Sequence, residues 1–81
     1  MDKNIEKLIF ENMSEMTGLD EDELEEIREN NLFEDGILDS LSLVNLIGMM
    51  EDELGVKVNL ASRKLEEFAN INAIIDFFEK L

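Results

Sequence analysis

The stretch Asp35-Gly36-Ile37-Leu38-Asp39-Ser40-Leu41-Ser42-Leu43-Val44-Asn45-Leu46-Ile47 decides how this chain is read. Asp35-Gly36 is a tight-turn pair. Beyond it Leu43, Leu46, Ile47, Met50 and Leu54 recur at helical spacing, which predicts a helix from near Ser40 to Leu54-Gly55 with one broad apolar face. Two residues compete for the start of that helix, since Asp and Ser are both good N-caps. If Ser40 is the cap, its hydroxyl is spent on the backbone. If Asp39 is the cap, Ser40 stands on the first turn with its hydroxyl exposed, a handle that another enzyme can modify. Local chemistry leaves both open. A phosphate at that position would lie near free backbone N–H groups, with Asp39 opposing it. Two further features of the helix cost stability. Glu51, Asp52 and Glu53 crowd its last turn, where the dipole disfavours negative charge, which hints at a surface used for something else. Gly48 costs about 1 kcal/mol relative to alanine, so a close contact at Gly48 is one expectation.

Working outward, Ile5, Leu8, Ile9 and Met16 predict an amphipathic helix over residues 2–17, with Asp2 as its N-cap and Gly18 as its stop. Residues 19–39 read as a long ordered connection. Asp20, Glu21, Asp22, Glu23, Glu25, Glu26 and Glu29 surround a single base, Arg28, and Leu24 and Ile27 offer at most a short helical turn. Leu32, Phe33, Ile37 and Leu38 are expected to pin that connection, because an unpinned loop of this length is unusual in a small fold. After the central helix, Val56-Lys57-Val58 reads as an extended connector. Ser62 is expected to cap a short helix through Phe68, with Leu65 and Phe68 facing inward. Asn70 caps a last helix whose Ile71, Ile74, Ile75 and Phe78 follow one face. Three long helices and one short one, with no credible strand pair, predict an all-α bundle.

Composition narrows the function. The chain has 81 residues, room for one small core, and 44% of them are apolar, enough to fold despite the charge. Its net charge is −14, from 21 acidic and 7 basic residues, a field that repels nucleic-acid backbones and anionic lipid and favours a protein partner with a basic patch. Cysteine and histidine are absent, which removes disulfides, thiol nucleophiles, imidazole bases and the usual zinc ligands. Neither a signal-peptide core nor a membrane-spanning run is present, so a soluble cytoplasmic protein is expected.

Other candidate sites fare poorly. With Gly36 at the sixth position of a calcium loop, Phe33 falls at the third and Ser42 at the twelfth, where neither can serve. Loose divalent-cation binding by the acidic run stays open. Paired carboxylates are numerous, but acid–base catalysis needs a pocket that separates two pKa values, and so small a bundle has little interior for one. Met1, Met13, Met16, Met49 and Met50, like the five phenylalanines, read as core filling rather than a binding groove.

With those residues in view, the chain resembles the phosphopantetheine-attachment family of acyl and peptidyl carrier proteins. The likeness centres on Leu32-Phe33-Glu34-Asp35-Gly36-Ile37-Leu38-Asp39-Ser40-Leu41. It continues through Val44, Leu46, Ile47, Met50, Glu51, Glu53, Leu54 and Val58 to the last helix at Ile71. The resemblance implies an acyl-carrier-like bundle over 1–81 as a single carrier domain, monomeric and not itself an enzyme. It implies 4′-phosphopantetheine on Ser40, transferred from coenzyme A by a separate phosphopantetheinyl transferase, with Asp39 and Leu41 flanking the site. Acyl or aminoacyl groups would ride as thioesters on that arm. A loading ligase would supply them, and transferases or synthases of fatty-acid, polyketide or related biosynthesis would receive them. Basic patches on those enzymes would dock on Asp39, Leu41, Val44, Glu51 and Asp52.

Three departures from the fatty-acid-type pattern stand out. Ser42, Asn45 and Gly48 replace acidic residues and a larger apolar side chain, Asn59 replaces a common proline, and the run from Leu60 to Ile71 is longer. That length and Phe68 look more like D-alanyl or peptidyl carriers. A D-alanyl carrier for teichoic acids is therefore one alternative, and an unmodified acidic helical interaction module is the other.

Overall fold

A computed structural model describes residues 4–81 of the chain. Four α-helices follow in order: α1 (Ile5–Thr17), α2 (Glu21–Glu26), α3 (Ser40–Leu54) and α4 (Ile71–Glu79). Two single 3₁₀ turns, Leu60–Ser62 and Leu65–Phe68, lie between α3 and α4. The described residues contain no strand, so the all-α carrier-like bundle is the observed architecture. None of these helices is long and apolar enough to cross a membrane.

α1 is the central post, packed against α2, α3 and α4. Its Ile9, Phe10 and Met13 join Leu43, Leu46, Ile47 and Met50 of α3 and Ile71, Ile74, Ile75 and Phe78 of α4 in one buried cluster. The periodicity of α3 and α4 therefore identified their inward faces. In α1 the expected stripe sits off-centre: Ile5, Leu8 and Met16 are half-buried flanks, while Phe10 and Met13 fill the core. Met13 and Met50 are fully buried and Met16 and Met49 partly so, as core filling requires; Met1 lies outside the described residues. Asp2 also lies outside them, and the cap of α1 is Asn4, whose Oδ1 accepts the Lys7 N–H at 3.0 Å. Gly18 ends α1 as expected.

Two expectations need correction. The short helix is α2, inside the acidic connection, where Asp20 accepts the Glu23 N–H at 2.9 Å and Glu23 accepts the Asp20 N–H at 3.2 Å. That reciprocal capping box fixes a six-residue helix whose one buried side chain is Leu24. Conversely, no helix runs from Ser62 to Phe68. Asn59 takes the cap, accepting the Ala61 N–H at 3.2 Å, and Ser62 closes the first 3₁₀ turn, donating its hydroxyl to the Asn59 carbonyl at 2.9 Å. Arg63 then adopts an extended conformation (φ −117°, ψ 155°) that breaks the run. In the second turn Phe68 is fully buried, whereas Leu65 points outward at 51% exposed.

Arg28, the lone base of the acidic run, ties three helices together. Its Nε donates to Asn72 Oδ1 of α4 at 2.6 Å, its Nη1 to Glu25 of α2 at 2.7 Å, and its Nη2 to Glu6 of α1 at 3.0 Å. The guanidinium also lies 5.5 Å from the centre of the Phe10 ring. Hydrogen bonds from a charged donor outweigh exposed ion pairs. Arg28→Met, which keeps the apolar stem, should therefore cost about 2 kcal/mol in urea denaturation, carried mainly by the Asn72 bond. A loss below about 0.5 kcal/mol would mean that the clamp is ornamental.

Candidate functional site

The site begins with the loop that delivers α3. Leu32 is its anchor: the Leu32 N–H donates to the Ala69 carbonyl at 2.7 Å, and the Leu32 carbonyl accepts from Ile37 at 2.9 Å and Leu38 at 3.1 Å. Leu32 and Leu38 are buried and Phe33 and Ile37 half-buried, so the loop is pinned by the four residues expected to do so. Gly36 turns the chain with φ +75°, a conformation that side chains rarely adopt. Immediately after this double pin, the backbone reaches Asp39.

Asp39 is the cap. Its Oδ1 accepts the Ser42 N–H at 2.8 Å while its own backbone is extended. That Ser42 bond, more than any other contact, holds the Asp39 carboxyl below the usual carboxylate range. The competition between Asp39 and Ser40 is thereby decided: Ser40 is the first residue of α3, exposed, and its hydroxyl makes no hydrogen bond among the described residues. A free primary hydroxyl at the N-terminal end of a long helix fits phosphodiester attachment. The helix end favours the phosphate, and solvent leaves the transferring enzyme room to approach.

The remaining candidate residues are distributed unevenly. Leu41 (71% exposed) and Val44 (49% exposed) form an apolar ridge on the solvent side of α3, with Asp52 exposed two turns further on. Their spacing, i, i+3 and i+11, keeps them on one stripe opposite Leu43, Leu46, Ile47 and Met50. Glu51 sits nearer the edge and is half-buried, its Oε2 accepting the Val58 N–H at 2.6 Å. Glu51 thus fastens the connector after α3, a role the sequence pattern does not reveal. Glu53 and Met50 likewise receive the side-chain N–H groups of buried Asn12, at 3.4 and 3.5 Å. Two of the three last-turn carboxylates that looked like a cost in α3, Glu51 and Glu53, therefore hold neighbouring segments in place. The close contact expected at Gly48 is absent, since a Cβ there would meet no atom within 4 Å. Among the described residues, no three carboxylates stand close enough to hold a metal ion.

The dense negative charge has a measurable consequence. Glu6, Glu25, Glu67 and Asp76 are engaged in ion pairs, but 21 acidic residues face 7 basic ones, so mutual repulsion dominates the exposed surface. Melting temperature should rise from low salt to about 0.5 M sodium chloride, where screening acts within a few ångströms, and millimolar magnesium should act similarly. A flat series would contradict this.

Comparison with known proteins agrees with the geometry. Residues 7–78 match the family described as "Phosphopantetheine attachment site". A D-alanyl carrier protein of Enterococcus faecalis is 32% identical over 78 residues, covering 96% of this chain and 97% of that protein. D-alanyl carrier proteins of Bacillus cereus and Bacillus anthracis are each 33% identical over 69 residues, covering 74% of this chain and 87% of theirs. No solved structure matches. A pinned loop, a capped helix with a free serine, and a family match across nearly all of the chain agree: the chain belongs to the phosphopantetheine-attachment family of carrier proteins, whose cofactor is a covalently attached 4′-phosphopantetheine.

Proposed function

We propose that Ser40 is the attachment point and that residues 1–81 act as one cytoplasmic carrier domain with no catalytic activity of its own. The observation that carries this reading is the exposed Ser40 hydroxyl, relieved of capping by the Asp39–Ser42 bond. Ser40 Oγ attacks the phosphorus of coenzyme A that bears the pantetheine. The pyrophosphate P–O–P bond breaks, adenosine 3′,5′-bisphosphate leaves, a phosphodiester to Oγ forms, and the hydroxyl proton passes to a base on the transferase. Ser40 supplies the nucleophile and Asp39 holds the helix start that presents it. Once attached, the arm offers a thiol that carries acyl or aminoacyl groups as thioesters, at high effective concentration for a docked enzyme.

The cargo reading that the relatives favour is D-alanine, since the Enterococcus and Bacillus proteins are named for it. The Phe68-bearing stretch before α4 and the loss of acidic residues at Ser42 and Asn45 support the same choice over a fatty-acid or polyketide acyl group. Partner enzymes dock with basic groups against Asp39 and Asp52 and apolar surface against Leu41 and Val44; Glu51 contributes charge at the edge. Intact-mass measurement after incubation with coenzyme A and a phosphopantetheinyl transferase tests the attachment. The holo protein, given ATP and a D-alanine-activating ligase or an acyl-activating one, then tests the cargo. No mass gain in the first step overturns the carrier reading, and charging by the acyl ligase alone overturns the D-alanine reading.

A further inference from the structure

Between buried Leu32 and buried Leu38 no residue of the loop is itself buried. Hydrogen bonds therefore set the shape of this segment, and every backbone N–H from Phe33 to Leu38 makes one. Ile37 and Leu38 donate to the Leu32 carbonyl, and Gly36 donates to the Phe33 carbonyl at 3.2 Å. The other three donors converge on Asn31. Its Oδ1 accepts the Phe33 and Glu34 N–H groups, each at 3.0 Å, and its carbonyl accepts that of Asp35 at 3.0 Å. Of all these acceptors, only Asn31 Oδ1 belongs to a side chain. The residues just ahead of the turn are fixed from outside. Besides the Leu32–Ala69 bond, the Arg28 carbonyl accepts the Asn72 N–H at 3.1 Å, and Arg28 Nε donates to Asn72 Oδ1 at 2.6 Å. One end of the segment is thus anchored to the start of α4, and the other runs directly into Asp39 and Ser40.

We infer that Asn31 is a positioning residue for phosphopantetheine transfer: by capping the turn after it through Oδ1, it fixes where the first turn of α3 presents the Ser40 hydroxyl. This rests on the reading of Ser40 as the attachment point. Ser40 precedes Leu43, the first buried residue of α3, so its place depends on the loop before it as well as on the core. Transfer needs Ser40 Oγ in line with the departing adenosine 3′,5′-bisphosphate, and small errors of placement are costly in such a displacement. Asn31 itself is half-buried and lies outside the apolar cluster that joins α1, α3 and α4. Loss of its carboxamide leaves that cluster whole but frees two backbone donors and lets the exposed stretch from Glu34 to Gly36 shift. Leu32 and Leu38 stay buried, so the loop loosens without unfolding. The effect falls on the placement of the reacting hydroxyl, read in kcat, and not on the contacts that hold the enzyme to the carrier, read in KM. The oxygen matters more than the nitrogen, because Nδ2 makes only a long contact to Glu34 Oε2 at 3.5 Å.

The test measures modification of the full chain by a phosphopantetheinyl transferase with coenzyme A, as wild type, Asn31→Ala, Asn31→Ser, Asn31→Asp and Asn59→Ala. Asn31→Ala should lower kcat about tenfold and leave KM for the carrier within about twofold of wild type. Asn31→Asp keeps an oxygen acceptor in the same place and should restore most of kcat. Asn31→Ser, whose oxygen is set on a shorter stem, should lose about threefold, and it carries the comparison should Asn31→Ala not fold. Asn59→Ala removes a similar cap, the bond from the Ala61 N–H, in the connector after α3; it controls for general destabilisation and should keep the wild-type kcat. Amide exchange at Phe33 and Glu34 should quicken about tenfold in Asn31→Ala while that at Leu46 in the core stays put. A wild type that is modified while the alanine and serine variants keep its kcat, or change KM alone, overturns the positioning role and leaves the carrier reading standing. An equal loss in Asn59→Ala, or no recovery in Asn31→Asp, overturns it too. A wild type that gains no mass fells the carrier reading, and the role of Asn31 with it.

Discussion

Ser40→Ala should abolish the coenzyme-A-dependent mass gain entirely while leaving the fold as stable as the wild type, or slightly more so. Only one exposed hydroxyl disappears, and among the described residues it makes no hydrogen bond. The cap survives, because Asp39 supplies it. Alanine is also the better helix former, by about 0.5 kcal/mol. Other hydroxyls are poor substitutes. Thr17 donates to the Met13 carbonyl at 2.7 Å, and Ser62 to the Asn59 carbonyl at 2.9 Å. Ser14 and Ser42 are half-buried in helices. Ser42→Ala is the informative companion: it sits two residues away on the same helix and should be modified like the wild type. Intact mass and thermal melting together read both expectations. An undiminished mass gain in Ser40→Ala would move the attachment elsewhere, and a large drop in melting temperature would mean that the hydroxyl has a structural role.

The capped start of α3 is legible in the sequence because of where its determinants lie. Asp39, Ser40 and the apolar repeat after them are local in sequence, and so is the competition for the cap. Local residues also end α1 at Gly18 and start α4 at Asn70, whose Oδ1 accepts the Ala73 N–H at 2.7 Å. What escaped reading depends on partners far along the chain. The role of Glu51 needs Val58 folded back on it, that of Asn12 needs Met50 and Glu53, and that of Arg28 needs Asn72, 44 residues away. No periodicity records such meetings. The α2 helix is a different case. Its signal, Asp20 followed three residues later by Glu23, is local, but six acidic residues within seven positions favour an extended solvated reading. The reciprocal cap outweighed that repulsion. Between Ser62 and Phe68 the sequence spacing suits a helical turn, yet the chain divides into two 3₁₀ turns because Asn59 captures the first backbone donor and Arg63 extends.

Those two turns make Phe68 the most consequential core residue of the C-terminal half. Among the described residues 51–70 it alone is buried, so it is the main apolar anchor of a long connector that Glu51 fastens at its other end. Its ring packs edge-on against Phe77 at 4.9 Å between centroids, and the neighbouring Ala69 carbonyl accepts the Leu32 N–H that pins the Ser40 loop. Phe→Ala in a core costs about 3–5 kcal/mol. A domain of this length is worth roughly 4–12 kcal/mol in total. Phe68→Ala should therefore remove about a quarter of the stability or more. Leu65→Ala, in the same turn but half in solvent, should cost no more than about 0.5 kcal/mol, as surface changes do. Urea denaturation of the pair separates the two roles. Equal losses would mean that Leu65 and Phe68 share the anchor, contrary to their burial. Phe68→Leu should recover most of the stability, since a shortened apolar plug still fills the site. Because the Leu32–Ala69 bond stands next to the plug, Phe68→Ala should also loosen the Ser40 loop. Faster amide exchange at Leu32 than in Leu65→Ala would trace that path from the connector to the loop before Ser40.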